Sequence, residues 1–172
     1  MSRLANTDVE QRAEAVLKRC GIRAAPVPVD RIAKALGAVL RYSPLDEELS
    51  GMIYIKDDVP IIGVNALHHP NRQRFTIAHE IGHLELHRNL ITTAVHVDKE
   101  FLMRSQKSAL GTDRTEVEAN KFASQLLIPQ FLLDDLIADL KFDIDDDAPL
   151  EKLAKMFRVS RKVVEYRIGN YL

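Results

Sequence analysis

A glutamate held between two histidines, in the order His79-Glu80-Ile81-Gly82-His83, limits the possible folds of this chain more than any other feature. Histidines at positions i and i+4 lie on one face of an α-helix, about one turn apart. Two such imidazoles can bind one tetrahedral zinc ion at ~2.0–2.1 Å. Glu80 lies beside such an ion rather than on it. There it can take a proton from a coordinated water, whose pKa zinc lowers to roughly 7, and later deliver it to a leaving amine. Phe75, Ile77, Ala78, Ile81 and Leu84 supply the apolar surroundings that a buried site requires. Pro70 can open the helix at its first position, so a helix is predicted from 70 to about 87. Gly82 costs about 1 kcal/mol against alanine inside a helix, which makes sense where a backbone or a substrate must come close.

Two histidines leave a catalytic zinc site short of a third protein ligand. The chain has one cysteine, Cys20, so thiolates cannot form a ligand cluster and no disulfide can close within the chain. Glu116 and Glu118 are the carboxylate candidates, on a helix predicted over 114–127. At about 100° per residue, its apolar stripe is Ala119, Phe122, Ala123, Leu126 and Leu127. Glu116 falls on the edge of that stripe and Glu118 on the flank near Lys121 and Gln125. A carboxylate on a buried side needs a partner, and a cation is one, so Glu116 is preferred. The competing reading makes Glu116 the N3 residue of a capping box that starts at Asp113. Asn120, one turn further on, is placed to hold a ligating histidine from behind.

The rest of the chain predicts an α+β fold. Thr7 to Glu10 reads as a capping box; Val9, Ala13, Val16, Leu17 and Cys20 continue at helical spacing, and Gly21 stops the run. A helix near 28–36 follows, ending at Gly37. Strands are expected over 38–42, 51–56 and 59–65, with Asp57-Asp58 as a hairpin turn. Together they predict a small antiparallel three-stranded sheet packed on a helical bundle, with the metal between the helices of 70–87 and 114–127. Residues 88–113 read as a long loop, with 91–97 a possible strand. Residues 1–147 would form the metal-bearing domain, and 148–172 a small helical segment packed on it.

Composition narrows the class further. The formal net charge is -1 over 172 residues, which argues against a globally basic nucleic-acid binder. No apolar run approaches the ~18 residues of a membrane span, and the first residues lack the apolar core of a signal peptide. A cytoplasmic location is therefore expected. The C-terminal segment, with Ser160 as an N-cap between two short helices, resembles a helix-turn-helix. From residue 151 it carries six Lys/Arg against two Glu. Packing helices with a solvated basic face explain it better than DNA contact, so direct DNA binding is not expected. His87, one further turn along, could join the site, but the surface or a supporting position behind the metal is preferred. His96, Tyr54 and Arg74 compete as stabilisers of an oxyanion. His68 and His69 read as loop residues.

The segment Arg74-Phe75-Thr76-Ile77-Ala78-His79-Glu80-Ile81-Gly82-His83, with Glu116-x-Glu118-Ala119-Asn120-x-Phe122-Ala123 and Leu126-Leu127-Ile128-Pro129, resembles the ImmA/IrrE family of metallo-endopeptidases. The likeness extends upstream to Ile32-Ala33-x-x-Leu36-Gly37, Ser50-Gly51 and Val64-Asn65, and downstream to Leu153-Ala154-x-x-Phe157-x-Val159-Ser160. It implies a gluzincin-like site in which His79, His83 and Glu116 bind zinc and Glu80 is the catalytic glutamate. It also implies a protein substrate, a helix-turn-helix repressor of the Xre type whose cleavage relieves repression. The alternative is a non-proteolytic binding partner of such a regulator. The N-terminal helix and residues 88–113 match no motif of the family and are expected to set substrate choice.

Overall fold

The computed structural model describes residues 6–91, 96–99, 112–139 and 147–169. They form α1 (Asn6–Arg19), α2 (Val29–Ala35), β1 (Val39–Ser43), β2 (Leu49–Lys56), β3 (Val59–Asn65), α3 (Pro70–Leu86), α4 (Arg88–Ile91), β4 (His96–Lys99), α5 (Thr112–Leu127), α6 (Gln130–Asp139), α7 (Asp147–Phe157) and α8 (Arg161–Gly169). The α+β class and the placing of the histidine motif on a helix agree with the sequence.

Helix α3 runs through the middle of the molecule. Every residue from Phe75 to Leu84 is buried, as expected of a helix with apolar residues on all sides. It packs on β2 and β3, on α2 and on α5. Pro70 stands at its first turn, and His69 caps it, Nδ1 accepting from the Asn71 amide at 3.2 Å. His69 thus has a local structural task. His68 faces the Glu47 carbonyl at 3.1 Å.

Two features of the sheet differ from expectation. It has four strands, in the order β1-β3-β2-β4, and β1 pairs with β3 in parallel. Only β2 with β3 and β2 with β4 are antiparallel. The β2–β3 hairpin closes at Asp57 and Asp58, whose φ angles of 51° and 62° define a two-residue turn with both residues left-handed. That hairpin leaves the far side of β3 open, and β1 enters there along the same direction. β4 is an edge strand that overlaps the end of the possible strand over 91–97. Expectations for 92–95, 100–111 and 140–146 lie outside the described residues.

Helix α1 starts at Asn6, one residue before the expected cap, and lays Val9, Ala13, Val16 and Leu17 into the core. Its Glu10 carboxylate pairs with the buried Lys121 of α5 at 2.9 Å. At the other end, Ser160 Oγ accepts from the Val163 amide at 3.3 Å and caps α8 as expected. Val163, Val164 and Arg167 of α8 are buried. Arg167 donates to the Ile128 carbonyl at 3.1 Å and to Gln130 Oε1 at 2.7 Å, tying α8 to the end of α5.

Candidate metal centre

The site forms where α3 crosses α5. Gly82 sits at the crossing: a Cβ there would stand 3.2 Å from both Cα and O of Ala119 and 3.2 Å from the Phe122 ring. The missing side chain lets the two backbones approach, and this brings residues of α5 over the histidine face of α3. The expected apolar stripe of α5 is buried, which turns Glu116 at its edge inward.

His79, His83 and Glu116 come together there, all buried, with one donor atom of each lying within 4.8 Å of the others. His79 Nε2 lies 3.0 Å from His83 Nε2. Glu116 spans the pair, with Oε2 3.2 Å from His79 Nε2 and Oε1 3.3 Å from His83 Nε2. Two donors at ~2.0–2.1 Å from one tetrahedral ion lie roughly 3.3 Å apart. The three edges therefore suit a single small divalent cation, and the donor set of two imidazoles and one carboxylate is one that zinc accepts. The carboxylate of Glu116 faces the two imidazoles.

Each of the two histidines has a further polar neighbour at its Nδ1. His79 Nδ1 lies 3.0 Å from Asn120 Oδ1, so a proton on Nδ1 leaves Nε2 free to face inward. His83 Nδ1 lies 3.2 Å from His87 Nδ1, and His87 Nε2 lies 2.9 Å from Glu118 Oε2. His87 is buried behind His83. It lies between His83 and Glu118. The link from His87 to Glu118 was missed. The available signal was the third histidine at the same four-residue spacing, which puts His87 on the same face as the motif.

Glu80 is fully buried. It faces β2, where a Cβ on Gly51 would stand 3.7 Å from Glu80 Oε1 and would collide with Thr76 and the Gly63 carbonyl. Gly51 and Ile53 face α3, and strand alternation puts Tyr54 on the opposite face of β2. Arg74 is elsewhere. It donates to the carbonyls of Val27 (2.9 Å), Arg158 (3.1 Å) and Phe157 (3.3 Å), binding α3 to the turn before α8. Burial and the nearby Arg158 push its pKa down, against the opposing pull of Asp30. The backbone of His96 pairs with Ile53 in β4, and its side chain lies outside the described residues.

An α+β domain in which a histidine pair and a glutamate from a second helix could hold one metal ion is consistent with the metallopeptidase type of site. The family model of Peptidase M78, the IrrE N-terminal-like domain, matches residues 33–169, and the chain belongs to that family. A solved structure, a Mycobacterium tuberculosis transcriptional regulator, is similar in fold, with a TM-score of 0.67 and 19% identity over 95% of this chain. This chain spans 46% of that regulator's length. No curated protein matches the chain.

Proposed function

We propose that this protein is a zinc-dependent endopeptidase that cleaves a helix-turn-helix repressor of the Xre type and so relieves repression. The observation that carries the reading is the convergence of His79, His83 and Glu116 on one cation-sized position beside the buried Glu80. In this reading His79, His83 and Glu116 hold the ion, and Asn120 keeps the His79 ring turned towards it. A bound divalent ion supplies a Lewis acid and makes water ionise near neutral pH. Glu80 accepts the proton of the attacking water and returns it to the leaving amine. Burial around Glu80 keeps bulk water from competing for that proton.

Membership of the Peptidase M78 family supports the hydrolase class, and the regulator of similar fold is compatible with a regulatory substrate. No described helix is long and apolar enough to cross a membrane, which is compatible with action in the cytoplasm, where such repressors work. Residues 1–147 are taken as the peptidase domain, with 148–172 packed on it through contacts such as Arg167 to Ile128.

The test is incubation with the regulator encoded beside the gene, with and without a chelator, followed by fragment analysis. Fragments are expected with the wild type and not with chelator. The Glu80→Gln variant should keep its metal and cut at least ~10²-fold more slowly, the usual range for loss of a general base. A stable complex without fragments would favour the non-proteolytic partner and contradict the proposal.

A further inference from the structure

We infer that His87 and Glu118 are positioning residues of the metal centre, forming a relay from Arg114 at the surface that fixes the tautomer of His83. The inference rests on the metal reading above and adds residues to it.

The distances allow one consistent proton assignment. His83 must present a bare Nε2 to a cation, so its proton sits on Nδ1. That N–H can donate to His87 Nδ1 at 3.2 Å. His87 then carries its own proton on Nε2, which donates to Glu118 Oε2 at 2.9 Å. The other carboxylate oxygen of Glu118 accepts from Arg114 Nε at 2.9 Å. Reversing any link gives two facing protons or two facing lone pairs. The chain therefore has one direction, ending in a carboxylate neutralised by a guanidinium.

Burial fits an oriented relay. The side chains of His83 and His87 are 2% and 6% exposed, Glu118 is 14% and Arg114 is 43%. The two imidazole links are shielded from water, while the charge-neutralising end is wet. A metal-ligating histidine whose far nitrogen is held by a hydrogen-bond partner typically loses roughly 10–100-fold in metal affinity when that partner is removed. Asn120 does this for His79 directly. For His83 the same task falls to two residues in series, because the carboxylate of Glu118 meets His87 and not His83.

The series arrangement predicts how variants combine. Zn²⁺ affinity of the full chain is measured by competition with a chromophoric chelator, beside thermal unfolding of the metal-free protein. His87→Leu should weaken Zn²⁺ binding by roughly 10–100-fold. His87→Gln, whose amide can accept from His83 and donate to Glu118, should stay within several-fold of wild type. Glu118→Ala should weaken binding on its own and add little to His87→Leu, because the link to His83 is already cut. Equal affinities for His87→Leu and His87→Gln would overturn the relay, as would additive losses in the double variant. A wild type that binds no Zn²⁺ would overturn the metal reading itself. Wild-type binding with all variants unchanged would overturn the relay alone. Destabilisation of the metal-free variants without a change in affinity would mean a packing role and would also overturn it.

Discussion

Gly82 is a residue whose cost in one term is set against a larger gain in another. Inside a helix it gives up about 1 kcal/mol against alanine, yet a Cβ there would stand 3.2 Å from the backbone of Ala119 and from the Phe122 ring. Alanine at 82 would require α3 and α5 to give by a few tenths of an ångström at the crossing that brings His83 to Glu116. Overpacking of this kind costs about 1–3 kcal/mol, which outweighs the helix gain. Gly82→Ala is therefore expected to lower thermal stability modestly and to weaken divalent-metal binding, as read by unfolding and chelator competition. Unchanged metal affinity would show that the close crossing is not what sets the site. At this scale the motif was legible: His79, Glu80, His83 and Glu116 could be placed from helical periodicity alone. Glu118 as the partner of His87 was not, because that contact joins two helices and leaves no local pattern. For Tyr54, strand parity counted from Gly51 turns the side chain to the other face of β2.

Among elements, helices were read more accurately than strands. Their caps are local: Pro70 after His69 and Ser160 before α8 act within one turn. The β2–β3 hairpin was equally local, since Asp57 and Asp58 tolerate left-handed geometry. The parallel pairing of β1 with β3 was not legible, because its register is set across the sheet and no turn joins the two strands. β4 was legible only in part: the possible strand over 91–97 overlaps it at residues 96 and 97, and four residues carry too little alternation to fix its bounds. The hairpin yields a prediction of its own. Asp58 has φ 62°, a conformation glycine adopts without steric cost. Asp58→Gly should stabilise the fold by roughly 0.5–1 kcal/mol, seen as a higher urea midpoint. A lower midpoint would mean that the Asp58 side chain makes a contact worth more than the strain.

Across the molecule, the C-terminal helices are bound to the helix that carries Glu116. Arg167 is 1% exposed and reaches from α8 to the carbonyl of Ile128, just beyond the end of α5. A cation near a helix C-terminus is favourable, and this one also satisfies a carbonyl the helix leaves open. Arg167→Ala would leave that carbonyl short of a donor and open a cavity, at about 3–5 kcal/mol. Equilibrium denaturation should show the loss as one cooperative transition; a cost under about 1 kcal/mol, or a separate early transition, would mean that α8 folds apart from the rest. The inward face of α8 is occupied by Val163, Val164 and Arg167.

The whole account depends on two imidazoles of α3 and one carboxylate of α5 sharing a single ion. Calorimetric titration of Zn²⁺ into metal-free wild type and into Glu116→Ala tests this most directly. One ion per chain is predicted for the wild type, with affinity reduced by at least ~10²-fold in the variant, as expected when one of three protein ligands is lost. Equal affinity and stoichiometry in the two proteins would contradict the account.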